Sequence, residues 1–138
     1  MSDAKAVVAD YMHHVWTDGE VDACDRFLAR TYTIHHDSGD PWDGQKLTLD
    51  EFKERVRILR APFPDQRFII ETIIEEGIKV AVAWRWKGTF AADMPGFKAT
   101  GKPVKSSGLT IYYMDGGRIA GHWQVTDRLG VFQQVAKS

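Results

Sequence analysis

A chain of 138 residues is sized for one domain and is long enough to bury a core, and its 43% hydrophobic content, with five Trp and seven Phe, predicts a globule rich in rings. The formal charge of -1, from 18 basic and 19 acidic residues without a basic run, argues against nucleic acid as a partner. A single cysteine, Cys24, excludes an internal disulfide, and the absence of a membrane-length apolar run or a secretion-signal pattern predicts a soluble, cytoplasmic protein.

Val7, Val8, Tyr11, Met12, Val15 and Trp16 recur at helical spacing and predict an amphipathic first helix over residues 4–17, stopped near Asp18 and Gly19. His14 sits beside its apolar stripe as a core-edge residue, and His13 reads as exposed. A shorter helix over residues 20–29 turns Val21, Cys24, Phe27 and Leu28 inward. Residues 31–35 suggest a strand, and residues 37–44 a loop. Thr48 and Glu51 form a capping box, with Leu47 and Phe52 at the staple positions. Phe52, Val56 and Leu59 continue that helix face until Ala61 and Pro62 end it.

From Gln66 the period changes to two. Strands over 68–75 and 78–87 join through a Glu-Glu-Gly turn. The second alternates Ile78, Val80, Val82, Trp84 and Trp86 against Lys79, Ala81, Ala83, Arg85 and Lys87, so its bulky face either lines a pocket or forms a dimer surface. A loop over 88–104 leads to strands over 109–113 and 118–126 around an Asp-Gly-Gly turn. Helices followed by a meander of antiparallel strands predict a single α+β domain without repeats or linkers.

The last strand alternates Ile119, Gly121, Trp123 and Val125 against Ala120, His122, Gln124 and Thr126, which puts Asp127 in phase with Trp123. Two readings of Asp127 follow. A carboxylate beside an indole in an apolar pocket has a raised pKa and can act as an acid or base. Alternatively, Asp127 caps a short helix over Arg128–Val135. His122, in the opposite phase, reads as a surface or dimer-face residue unless a bulge reverses it. Trp84, Trp86 and Trp123 read as core or cavity rings. Trp42, isolated in a polar loop, reads as part of a pocket lid or of an inter-subunit contact. Arg85 reads as solvated or paired. The adjacent His35 and His36 diverge on a strand and lack a completing ligand set, so no metal site is expected there. No phosphate-binding glycine loop and no nucleophile elbow occur, so neither a nucleotide cofactor nor acyl-serine chemistry is expected.

Ala61-Pro-Phe-Pro-Asp65, Gly88-Thr-Phe90, Thr100-Gly-Lys-Pro103, Asp115-Gly-Gly-Arg-Ile119 and His122-Trp-Gln-Val-Thr-Asp-Arg-Leu-Gly130, in that order and spacing, resemble the SnoaL-like polyketide cyclase family. The resemblance spans residues 7–135 and implies the NTF2-like cone, a curved antiparallel sheet covered by three N-terminal helices. It further implies an apolar small-molecule substrate, two copies paired through their sheets, and an intramolecular aldol closure without metal or cofactor. In the family an acidic residue moves a proton between an activated methylene and a carbonyl oxygen, and the Trp-x-x-x-Asp motif assigns that role to Asp127. His36 fits the family's first-strand histidine, with His35 as the register alternative, and would polarise a carbonyl, shuttle a proton or orient Asp127. The family's additional histidine before the final turn is absent from Leu109-Thr-Ile-Tyr-Tyr113. Tyr113 supplies a hydroxyl in its place, or Tyr112 if the register shifts. Trp123, Trp84 and Trp42 would complete the substrate surface. The same fold also carries isomerases, hydrolases, dehydratases and non-catalytic binding proteins.

Overall fold

In the computed structural model, which describes residues 3–137, a first helix α1 (Ala4–Tyr11) widens into a π-helical turn over Met12–Thr17. The second helical segment ends two residues earlier than its apolar spacing predicts. A 3-10 turn, Val21–Ala23, leads into one turn of α-helix, α2 (Cys24–Phe27), and strand β1 (Leu28–Asp37) begins at once. The run Thr31-Tyr-Thr-Ile34 prefers a pleated surface, and parallel pairing with the last strand already engages Leu28. A three-residue strand, β2 (Lys46–Thr48), follows the loop and has no counterpart in the sequence reading. Then come α3 (Leu49–Arg60), β3 (Arg67–Glu76), β4 (Lys79–Thr89), β5 (Pro103–Asp115), β6 (Arg118–Thr126) and α4 (Arg128–Val135).

Together the strands form one open sheet in the order β2-β1-β6-β5-β4-β3. Among the described residues only the β1–β6 pair is parallel; the others are antiparallel. The architecture is the expected α+β arrangement, with helices on one face of the sheet. The capping box of α3 is present: Thr48 Oγ1 accepts from the Glu51 N–H at 3.2 Å, and Glu51 Oε1 accepts from the Thr48 N–H at 2.9 Å. Phe52 and Val56 then face the core from successive turns.

On β4 the bulky face is the covered one. Val80, Val82, Trp84 and Trp86 are buried, while Arg85 points away and pairs with Glu71 at 2.9 Å. This removes the reading of the bulky face as a dimer surface. The opposite face of the sheet stays open and carries Leu109, Ile111, Trp123 and Val125, the last 66% exposed.

Two irregularities decide which side chains look inward. On β1, Ile34 pairs with His122 and His36 with Trp123, so His35 is an extra residue and the alternation flips after it. Between β5 and β6, Tyr113 pairs with Gly121 and Met114 with Ile119, which skips Ala120 and returns Ile119 to the core. A Cβ on Gly121 would stand 2.5 Å from the Thr33 carbonyl oxygen and 2.6 Å from the Tyr113 hydroxyl, so only glycine lets the Tyr113 ring lie across β6. Gly108 does the same for Trp84, whose Cζ2 would lie 2.4 Å from an added Cβ.

Candidate functional site

Among the described residues the buried charged groups gather at one place, where the end of β1, the following loop, α3, β6 and the start of α4 converge on Asp37. Asp37 is fully buried, and its neighbours Asp40, Arg55 and His122 are buried with it. Asp37 Oδ2 accepts from Gln124 Nε2 at 3.0 Å, from His122 Nε2 at 3.2 Å and from an Arg55 terminal nitrogen at 3.3 Å. Asp37 Oδ1 accepts from an Arg128 terminal nitrogen at 2.7 Å. The same Arg55 nitrogen lies 2.8 Å from Asp40 Oδ2, so one guanidinium holds two carboxylates. The Trp16 and Phe52 rings lie 5.5 Å from the Arg55 guanidinium carbon and the Trp42 ring 5.9 Å.

The network continues on both sides. The Tyr32 hydroxyl is 2.6 Å from His122 Nδ1. Trp84 Nε1 donates to Thr110 Oγ1 at 2.9 Å, and Thr110 Oγ1 donates to Gln124 Oε1 at 2.7 Å. Proton positions follow from chemistry. An ionised carboxylate only accepts, so His122 carries its proton on Nε2, and the neutral ring accepts on Nδ1 from the Tyr32 hydroxyl.

The charge states agree with this assignment. Burial acts to raise the Asp37 carboxyl, but the His122 hydrogen bond and the charges of His122, Arg55 and Arg128 outweigh it and hold the group below the usual carboxylate range. Burial is the main influence on His122 and lowers its pKa despite the opposing pull of Asp37. Burial likewise pushes the Tyr32 phenol well above its ordinary value. At neutral pH the set is therefore an ionised Asp37, a neutral His122 and a protonated Tyr32, arranged as a relay in which each proton has one acceptor.

The sequence-predicted residues fall elsewhere. Asp127 is the N-cap of α4: its Oδ1 accepts from the Gly130 N–H at 2.9 Å, and the residue is exposed. It also borders a shallow hollow of about 410 Å3 on the open face, with Glu71, Ala83, Leu109 and Val125. Trp123 lies on that same open face, stacked on His35 with centroids 4.6 Å apart and planes at 16°. His35 Nε2 is 2.9 Å from the Tyr113 hydroxyl, so these three rings form an outer cluster. His36 is exposed beside Trp123 in the register. The expectation that one of the two histidines turns inward is overturned, because the bulge at His35 leaves both outside and delivers Asp37 to the interior instead.

Trp84 is buried and tied to Thr110. Trp42 is half-buried against Arg55 and the core, with its N–H donating to Asp40 Oδ1 at 2.8 Å. His122 corrects the sequence reading most sharply. It is 3% exposed rather than on the surface, because the face of β6 that carries His122, Gln124 and Thr126 is the one under the helices. Asp37, Asp40, Tyr32, Gln124 and Arg55 were not singled out from the sequence. One signal was available for Arg55, which interrupts the Phe52–Val56 apolar stripe of a helix and so needs buried anions.

Residues 6–135 match the family model described as SnoaL-like polyketide cyclase. A crystal structure of a candidate polyketide cyclase from Acidithiobacillus ferrooxidans is 48% identical, with a TM-score of 0.94 over 99% of this chain and 96% of that one. IdmH, a candidate polyketide cyclase from Streptomyces antibioticus, is 21% identical with a TM-score of 0.82 over 98% of this chain and 99% of that one. A candidate SnoaL-like polyketide cyclase from a Jannaschia species is 19% identical with a TM-score of 0.83 over 100% of this chain and 97% of that one. The last two similarities speak to fold alone. No curated protein matches the chain.

Proposed function

The chain belongs to the SnoaL-like polyketide cyclase family, and from that premise we propose a cofactor-free cyclase or isomerase of an apolar, enolisable, polyketide-like carbonyl compound, with Tyr32, His122 and Asp37 as its proton relay. The observation that supports this reading is a fully buried carboxylate that orients a neutral imidazole, whose other nitrogen accepts from a buried phenol.

In this mechanism the Tyr32 oxygen takes a proton from the activated methylene while its own proton passes to His122 Nδ1. The two transfers are concerted, because burial disfavours a free tyrosinate. The resulting carbanion attacks the substrate's second carbonyl carbon, and the new alkoxide oxygen takes back one proton from the relay. No net proton is gained or lost. Asp37 stabilises the transient imidazolium without itself becoming protonated, which Arg55 and Arg128 prevent. Gln124 and Arg128, both partly exposed, mark the solvent end of the network.

Asp127 supports a second reading, because it borders the open-face hollow together with the apolar Leu109 and Val125. There the carboxylate itself is the base. The two readings separate in one experiment that follows solvent deuterium exchange into the activated methylene of β-tetralone. Tyr32→Phe and His122→Gln should each lower the catalysed rate at least about 100-fold, the usual span of general acid–base effects, with Asp127→Asn unchanged. Loss in Asp127→Asn alone transfers the role to Asp127, and unchanged rates in all three remove both readings.

A further inference from the structure

The end of the first helix carries a polar cluster that shares no residue with the Asp37 network. The π-helical turn brings the consecutive His13 and His14 against the chain that follows it. The Asp18 N–H donates to the His13 carbonyl and the Glu20 N–H to the His14 carbonyl, each at 2.9 Å. Gly19, at φ 75°, reverses the backbone between them. As a result His14 Nδ1 lies 3.0 Å from Glu20 Oε2, and His13 Nε2 lies 3.3 Å from Asp18 Oδ2. One ligand atom from each of His14, Asp18 and Glu20 falls within 4.8 Å of the other two, and among the described residues no other such group of three occurs.

Two features distinguish this cluster from an ordinary acidic turn. The His14 ring stacks on Phe27, with centroids 6.1 Å apart and planes at 14°, which fixes the direction of its Nδ1. The backbone beneath is braced by Arg60, whose Nε donates to the Trp16 carbonyl at 2.9 Å and whose terminal nitrogen donates to the Thr17 carbonyl at 3.0 Å. The same guanidinium fills the space beside Gly19, where a Cβ would lie 2.4 Å from it.

We propose that His14, Asp18 and Glu20 form a binding site for a divalent transition metal of the Zn2+ type. Tetrahedral zinc holds nitrogen and oxygen donors at about 2.0–2.2 Å, so its ligand atoms stand roughly 3.3 Å apart, which small side-chain rotations reach from the observed positions. An imidazole with two carboxylates suits Zn2+ better than Ca2+ or Mg2+, which take oxygen ligands in larger number. The fourth position is left to water. His13 Nε2, 3.3 Å from Asp18 Oδ2, acts as a positioning residue for that ligand. The ion would clasp the first helix to the turn that launches α2, away from the proton relay and independently of the proposed reaction.

The test titrates the metal-free, full-length chain with zinc chloride against a chromophoric zinc chelator, with thermal melts in parallel. Expected are one ion per chain, a raised Tm, and binding weakened at least about tenfold by His14→Ala and by Glu20→Gln. Glu20 is exposed, so metal-free Glu20→Gln should melt as the wild type does, while His14→Ala also loses the Phe27 stack and is judged by the zinc titration alone. His36→Ala serves as the control for adventitious surface histidine and should bind unchanged. The proposal is overturned by the absence of saturable binding, by wild-type affinity in both His14→Ala and Glu20→Gln, or by a loss confined to His36→Ala.

Discussion

Asp37 and Asp127 show how a carboxylate's neighbours, rather than its place in a motif, set what it does. Asp127 accepts the Gly130 N–H in an exposed position, so Asp127→Asn should leave stability within about 0.5 kcal/mol while Asp127→Ala costs about 1 kcal/mol, read from urea midpoints. Asp37 and Asp40 share a buried guanidinium. Arg55→Met should therefore cost about 3–5 kcal/mol, because it leaves two buried anions with Arg128 as their one guanidinium. A loss below 1 kcal/mol would show that water enters the cluster freely. The sequence indicated Asp127 because alternation along β6 gives each residue a phase. It did not indicate Asp37, because one bulged residue, His35, moves everything after it to the other face. A bulge leaves no signature in a His-His-Asp triplet whose members all tolerate exposure.

Among the elements, α3 was the most legible, since Thr48 and Glu51 form a local motif whose partners lie three residues apart. Thr48→Ala should cost about 1 kcal/mol of stability in denaturant melts. The second helix was the least legible. Val21, Cys24, Phe27 and Leu28 have helical spacing, yet the segment ends at Phe27 because pairing between β1 and β6 spans more than 80 residues of sequence, beyond the reach of any local pattern. Strand β6 needs its glycine for a reason equally hidden from periodicity. A methyl group at Gly121 would meet the backbone of β1 and the hydroxyl of Tyr113 at once. Gly121→Ala should destabilise by about 1–3 kcal/mol through overpacking and detach Tyr113 from His35, visible as altered near-ultraviolet circular dichroism.

For the molecule as a whole, helices first and long strands after them were enough to predict the α+β class, and the motif order was enough to predict the cone. Which sheet face is covered was not legible, because both faces of β5 and β6 carry large apolar residues. The outer set has Leu109 opposite Val125 and Ile111 opposite Trp123, with few charges among them. Two copies are expected to pair through this face. Leu109→Lys should convert a dimer to a monomer in sedimentation experiments without altering the fold, and a monomeric wild type at micromolar concentration would remove the expectation.

Acid should weaken the whole domain in two stages. His122 has a folded pKa below its unfolded value of about 6.5, so its contribution is complete above that value and is lost as pH falls through the folded one. Asp37, also lowered, contributes fully above about 3.9 and loses its contribution further into acid. His122→Gln should abolish the upper stage of the urea midpoint profile and shrink the lower, because Asp37 then keeps only Arg55 and Arg128 to hold its carboxyl down.

Arg128 ties the start of the final helix to the end of the first strand. A chain that lacks residue 128 therefore leaves Asp37 and Asp40 facing one guanidinium where two are needed. In such a chain the interior holds an excess negative charge that water must keep solvating. Truncation ahead of Arg128 should therefore yield an expanded, protease-sensitive product.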